Sequence, residues 1–292
     1  METPFYQVDV FTDHIFGGNP LAVFTQGQDF KEEDLQKVAR EMNLSETTFV
    51  YPSTSKEADF NVRIFTPNSE IPFAGHPTLG TAYVLRKYGA QSTNPLRLNF
   101  KAGIIPVSTE EDKSFMQHPP AQTLHELSPS KKIAEALGIQ LSDLDGNLPV
   151  KVVTTGFPVL FVPVNSLSFI NEIVINTQIL NELLEPLGID MIYPFCRETL
   201  NPNNTLHARA FAPCLGIPED PATGSVAGAM GAYWASLSDE VEISMVIEQG
   251  YAMQRPSLIH VEVSNNEEIK KIRVGGQCQS VFTGLMDLKG VS

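Results

Sequence analysis

The chain says nearly the same thing twice. RIFTPNSEIPFAGHPTLGTAY begins at Arg63 and RAFAPCLGIPEDPATGSVAGAMGAY begins at Arg209, 146 positions later in a chain of 292 residues. Arg63/Arg209, Phe65/Phe211, Pro67/Pro213, Ile71/Ile217 and Pro72/Pro218 keep that offset, after which the second copy gains three residues and Gly75 answers Gly224. A strand, a turn and a glycine-started helix repeated at half the chain length call for two similar halves, each with its own core. The flanking segments agree. VDVFTDHIFGGNPLAVF is matched by VKVVTTGFPVLFVPV, with Gly18/Pro20 against Gly156/Pro158.

Each half also carries two kinds of helix. KEEDLQKVAREMNL (31–44) places Leu35, Val38, Ala39 and Met42 at helical spacing, with acids in its first turn, and QILNELLEPLGI (178–189) reads the same way. These are amphipathic helices that lie outside a sheet. The helix after Gly75 has almost no polar face before Arg86, and SVAGAMGAYWA after Gly224 has no charge at all. A helix apolar all round is buried on all sides. The economical architecture is an α+β chain in which a strongly curved sheet wraps its own central helix, made twice. His118 to Pro129, rich in proline, reads as the linker.

Composition narrows the partners. With 20 Lys and Arg against 34 Asp and Glu, the net charge of −14 and the absence of a basic cluster argue against nucleic acid and against an anionic membrane. No apolar run approaches the ~20 residues that cross a bilayer, and METPFYQVDVFT is not a signal peptide. Three cysteines, an odd number with no CxxC pair, point to a reducing compartment, so the expected location is the cytoplasm.

The two helix starts are where chemistry is expected. Unpaired backbone N–H groups and the positive end of the helix dipole suit a carboxylate. If the halves face each other, both starts can serve one small acid. Taken singly, Gly75 and Gly224 are equally consistent with tight turns, and Asp220 with a turn residue before Pro221. What separates the copies is more telling: His76 stands at the first helix start and Ser225 at the second, and the inserted residues bring Asp220. Ser225 is not a nucleophile elbow, because Gly-Ser-Val-Ala-Gly breaks the G-x-S-x-G pattern. No dinucleotide or P-loop fingerprint is present, and the six histidines show no metal-ligand spacing, so no cofactor and no metal are expected. Glu46, in MNLSETTFV where an outer helix gives way to a strand, is either a solvated strand-edge acid or a partly buried proton carrier with a raised pKa.

GNPLAV (18–23), NLSET (43–47), FTPNSEIPFAGHPTLG (65–80) and DPATGSVAG (220–228) together resemble the PhzF-like phenazine biosynthesis family, in order and across essentially the whole chain. The resemblance implies the diaminopimelate epimerase-like fold: two pseudo-symmetric halves, each an antiparallel barrel-like sheet around a central apolar helix. It implies domains of 1–118 plus 279–292 and of 119–278, with the active site in the cleft between them. The implied activity is that of a cofactor-independent isomerase acting on a small cyclic or amino-acid-like carboxylic acid. On matching positions Glu46 is the general acid/base, assisted by His76 and Asp220. Gly75, Gly224 and Ser225 bind the substrate, and Asn19 and Ser45 line the pocket. The related epimerases carry a cysteine before each helix-start glycine, whereas Ala74 and Thr223 stand there in this chain. An epimerase or racemase without catalytic cysteines, or a binding module that captures a small carboxylate without chemistry, are the alternatives. A homodimer is the expected assembly.

Overall fold

The structure is a computed structural model that describes residues 2–89, 92–266 and 269–288. In chain order it runs β1 (Glu2–Val10), β2 (Asn19–Phe24), α1 (Glu32–Met42), β3 (Glu46–Pro52), β4 (Phe60–Phe65), β5 (Glu70–Ile71) and α2 (Gly75–Tyr88). Then come β6 (Leu96–Phe100), β7 (Gly103–Glu110), β8 (Lys113–Gln117), β9 (Gln122–Leu127), α3 (Lys131–Leu137), β10 (Val150–Thr154) and β11 (Pro158–Pro163). After α4 (Leu167–Glu172) and α5 (Thr177–Leu184) follow β12 (Ile192–Cys196), β13 (Leu206–Ala208), β14 (Ala210–Ala212), β15 (Ile217–Asp220) and α6 (Gly224–Ala235). The chain ends with β16 (Glu242–Gln249), β17 (Ser257–Asn266), β18 (Ile269–Gly276) and β19 (Cys278–Asp287). It divides into two compact units, Met1–Gln117 with Gly275–Ser292, and His118–Val274.

The same pairing rule builds both units. In the first, β19, β1 and β2 pair antiparallel, β2 and β3 parallel, β3 and β4 antiparallel, and β4 pairs β5 antiparallel and β6 parallel. In the second, β9, β10 and β11 pair antiparallel, β11 and β12 parallel, β12 pairs β13 and β14 antiparallel, β14 pairs β15 antiparallel, and β13 pairs β16 parallel. Among the described pairings, two in each unit thus depart from an all-antiparallel sheet. In all four a helix intervenes in sequence, α1 or α4–α5 and then α2 or α6, and the helical crossover returns the chain in its original direction; α3, between the antiparallel β9 and β10, does not act this way. The proline-rich stretch expected as a linker instead contains β9, which pairs with β10 from Val150↔Leu127 to Thr154↔Gln122. Its prolines fall outside the paired residues, which leaves the strand N–H groups intact.

The outer helices bury the stripe their spacing indicated. Leu35, Val38 and Ala39 of α1 pack with Ala22, Phe24, Phe49 and Phe65. Leu180, Leu183 and Leu184 of α5 pack with Leu160, Val162 and Ile192. The inner helices are different. Every residue of α2 from Gly75 to Ala82 is buried, and α6 is buried except at Ser225 and Trp234, which are half-buried. α2 touches β1, β2, β3, β6, β7, β8 and β19, and α6 touches β10, β11, β16 and β17. Glycine sets how closely the strands approach. A Cβ on Gly80 would stand 2.6 Å from Leu21 Cδ2 and 2.8 Å from Val10 Cγ2, and one on Gly231 would stand 2.6 Å from Val261 Cγ1.

The repeated Arg-x-Phe is structural. Arg63 Nε donates to Glu70 Oε1 at 2.8 Å and its guanidinium carbon lies 5.1 Å from the centre of the Phe65 ring. Arg209 Nε donates to Glu219 Oε1 at 2.9 Å and lies 4.8 Å from the Phe211 ring centre. In both units a guanidinium stacked on the ring two residues ahead clamps the next strand.

Candidate active site

Strand alternation explains how Glu46 meets His76. Thr48 faces α2, because its Oγ1 lies 2.9 Å from Oγ1 of Thr81. Glu46, two residues earlier, shares that face and stands ~6.7 Å nearer the strand start. His76 is five residues before Thr81, about 7.5 Å at 1.5 Å per residue along the helix. The two offsets nearly match, and Glu46 Oε2 lies 3.1 Å from His76 Nε2, with side-chain exposures of 13% and 6%. Leu21 of the adjacent strand β2 packs against Gly80. Asn19, on the same face two residues before it, is fully buried at the level of the helix start.

Burial pushes the His76 imidazole down to about 3, so it is neutral at physiological pH. The contact with Glu46 is therefore a close approach of a neutral imidazole to the acid rather than a pair of full charges, and its 3.1 Å separation lacks hydrogen-bond geometry. Beside it, the start of α2 has no side-chain cap, and Ala74 precedes it with extended backbone. Its first N–H groups have no partner within the helix. Ser45 does not join this group: it is exposed in the turn before β3.

The second unit builds a different cluster at the equivalent place. α6 also lacks a side-chain cap, Gly224 is buried at its start and Ser225 is half-buried. Asp220, at the end of β15, accepts a hydrogen bond on Oδ2 from Thr223 Oγ1. Gln249 Nε2 donates to the Asp220 carbonyl at 2.7 Å and to Thr223 Oγ1 at 2.9 Å, and Tyr193 donates to Gln249 Oε1 at 2.9 Å. Thr155 Oγ1 donates to the Ser225 carbonyl at 3.2 Å and lies 3.3 Å from His118 Nδ1. Sequence reading missed Tyr193, Gln249, Thr155 and His118. The available signal was a buried polar residue closing an apolar strand, as Gln249 does in VEISMVIEQG, but alternation does not name its partners.

Register shows what the duplication did not copy. Thr47 pairs with Ala22 and Phe65, and Ile192 pairs with Leu160 and Phe211. With Phe65 and Phe211 equivalent, Ile192 stands for Thr47 and the buried Met191 for Glu46. By the Gly-x-Pro match Phe157 stands for Asn19, and by the helix start Ser225 stands for His76. The first unit thus holds Asn19, Glu46 and His76 where the second holds Phe157, Met191 and Ser225.

The thiols take no part in either cluster. Burial pushes Cys196 and Cys278 up to about 12, and burial with the nearby Asp190 raises the exposed Cys214. Two surface hollows of about 350 and 550 Å³ lie away from the candidate residues. The first is lined by Arg63, Lys101 and the acids that pair with them, and the second by Tyr6, Tyr88 and Leu285. Neither of these two hollows marks the candidate site, which is read instead from the convergence of polar groups. Among the described residues, no helix is long and apolar enough to cross a membrane.

Comparison with known proteins gives the chain's family and class. A relative from Clostridium acetobutylicum, named an uncharacterised isomerase, is 32% identical over 288 residues that cover 95% of each chain. Trans-2,3-dihydro-3-hydroxyanthranilate isomerase of Pseudomonas aeruginosa is 32% identical over 278 residues, 92% of this chain and 94% of that enzyme. The crystal structure of a phenazine biosynthesis protein of the PhzF family from Bacillus anthracis matches with a TM-score of 0.91 at 29% identity, covering 99% of this chain and 100% of that one. Fold and relatives together make this chain an isomerase. It belongs to the phenazine biosynthesis-like family, whose model matches residues 8–284.

Proposed function

We propose that this isomerase moves a proton on a small cyclic or amino-acid-like carboxylic acid without a cofactor, with Glu46 as the general acid/base. The observation that carries the reading is the Glu46–His76 contact beside an uncapped helix start, at a place where the duplicate unit has Met191 and Ser225. In this mechanism a Glu46 oxygen takes the proton from a carbon adjacent to the unsaturated acid. The C–H electron pair passes into the conjugated system, and the protonated Glu46 returns the proton at another carbon. His76, neutral throughout, stands 3.1 Å from the acid and adds no second charge beside it as that proton comes and goes. Backbone N–H groups at Gly75 and His76 hold the negative charge that develops on the substrate.

Asn19, Gly224 and Ser225 are assigned to substrate binding in the same reading, Asp220 to hydrogen bonding during the transfer, and Ser45 to the rim of the pocket. A cytoplasmic location fits the three unbridged cysteines. The P. aeruginosa relative suggests the first compound to try, trans-2,3-dihydro-3-hydroxyanthranilate, and cyclic dihydro-acids and amino acids complete the panel. The test is deuterium incorporation in D₂O followed by NMR. Exchange into one of these acids, lost in Glu46→Gln, supports the reading; exchange that survives the substitution removes Glu46 from it. Inversion at an α-carbon, with no movement of the proton between carbons, would favour an epimerase that works without thiols.

A further inference from the structure

We infer that Tyr193, Gln249 and Thr223 form a positioning relay whose hydrogen-bond polarity is fixed and whose end point is the Asp220 carboxylate. The inference rests on the reading above only in that it takes Asp220 to act in the reaction.

The polarity follows from two backbone groups that cannot change role. The Asp220 carbonyl is only an acceptor and the Thr223 N–H is only a donor. Gln249 meets the first with one end of its amide at 2.7 Å and the second with the other end at 3.4 Å. A flipped amide would set carbonyl against carbonyl and N–H against N–H, so Nε2 faces Asp220 and Oε1 faces Thr223. Everything else is then determined. Tyr193 finds an acceptor at Oε1, 2.9 Å away, and must donate. Thr223 Oγ1 receives an Nε2–H at 2.9 Å, so its own single hydrogen is directed to Asp220 Oδ2. Each link hands a donor to the next, from phenol to amide to hydroxyl to carboxylate.

Burial makes the arrangement rigid. Tyr193 and Gln249 are fully buried and Thr223 nearly so. Burial, and secondarily the charge of Asp220, push the Tyr193 phenol well above its ordinary value, so it stays a donor at any working pH. Leaving one of these buried groups without its partner costs its full desolvation, which holds a single arrangement. The three-residue insertion that distinguishes the second copy brings Asp220 close to Thr223, which explains why the first copy has no such relay.

The test has two arms, both on the full chain. The first is the ¹³Cγ resonance of Asp220 in selectively labelled protein at neutral pH. Thr223→Val keeps the shape and removes the donor, and Gln249→Glu replaces the donating amide with acceptors. Both are expected to move the resonance, and Thr223→Ser to restore it; an unmoved resonance in Thr223→Val overturns the relay whatever the substrate is. The second arm is deuterium incorporation into trans-2,3-dihydro-3-hydroxyanthranilate. kcat is expected to fall about tenfold in Thr223→Val and Gln249→Glu with KM within about threefold, and to recover in Thr223→Ser. Asp220→Asn at the native rate would overturn the role of Asp220, on which the relay depends for function. Asp220→Asn impaired, with Thr223→Val and Gln249→Glu at native rates, would overturn the relay alone. No exchange by the native protein would count against the proposed substrate and leave the resonance to decide the relay.

Discussion

Glu46 Oε2 and His76 Nε2 stand 3.1 Å apart, one from the first residue of a strand and the other from the second residue of a buried helix. They lie 30 positions apart in sequence, with the rest of β3, then β4, β5 and a turn between them. The contact exists because two strand residues and five helix residues span nearly the same length, so the Thr48–Thr81 bond and the Glu46–His76 contact form two rungs of one ladder.

Glu46→Gln keeps the size and the hydrogen-bonding capacity of the side chain and removes its ability to carry a proton. Proton exchange into the substrate is expected to drop by about 10²–10⁴-fold, the range that a positioned acid/base supplies. The denaturation midpoint is expected to stay near native, because His76 remains neutral and the substitution leaves the packing around it unchanged. A stability loss as large as the activity loss would show instead that Glu46 serves the fold.

Acid should destabilise the protein through its buried histidines. Burial holds His76 down to about 3 and His118 down to about 4, against an ordinary value of 6.5. Above 6.5 both are neutral, folded or unfolded, and contribute no pH dependence. As the pH falls below 6.5 the unfolded chain takes up protons that the folded chain refuses, so stability is lost progressively toward 4 and then 3. His207, also lowered by burial against the opposing pull of Glu248, adds to the same limb. Urea titrations across this range should show His76→Gln and His118→Gln each removing about one proton from the slope. Unchanged slopes would mean that these imidazoles are protonated in the fold.

The duplicated arginines should differ in weight. The Arg209 side chain is 10% exposed, and besides Glu219 it donates to the carbonyls of Ile170 and Ile173. The Arg63 side chain is 28% exposed and pairs with Glu70 and the exposed Glu32. Arg209→Met strands a largely buried carboxylate and two carbonyls, at ~3–5 kcal/mol. Arg63→Met should cost about 1 kcal/mol, since its partners reach water. Equal losses in chemical denaturation would contradict this ranking.

Thiol reagents should separate this isomerase from thiol-based epimerases. Cys214 is exposed, while Cys196 and Cys278 are buried with thiols held protonated. Under native conditions mass spectrometry is expected to find one slow alkylation, at Cys214, with isomerase activity retained. Inactivation in step with alkylation would reopen a thiol mechanism.

Much of the fold was legible because hydrophobic period reports which face of an element is covered. The stripe at Leu35, Val38 and Ala39, and the unbroken apolar surface of SVAGAMGAYWA, gave an outer helix and an inner one. The stretch from His118 to Pro129 misled, because its prolines flank β9 rather than interrupt its pairing. The parallel pairs were hidden because alternation along a strand is the same whichever way its neighbour runs. Glu46 was ambiguous for a related reason. A glutamate that starts a strand looks alike whether it meets water or an imidazole.

The sequence by itself determined that there are two copies, where each copy's helix starts, and that His76, Ser225 and Asp220 are where the copies part. Those are properties of spacing along one dimension, and spacing survives in the letters. Only the tertiary structure decided that Glu46 touches His76, that Met191 holds the equivalent place in the other unit, and that Gln249 joins Tyr193 to Thr223 and Asp220. Strand register and helix rotation set these contacts, to within an ångström or two, between residues remote in sequence. A hydrogen bond weakens within that same distance, so the chemistry depends on a precision that periodicity does not carry.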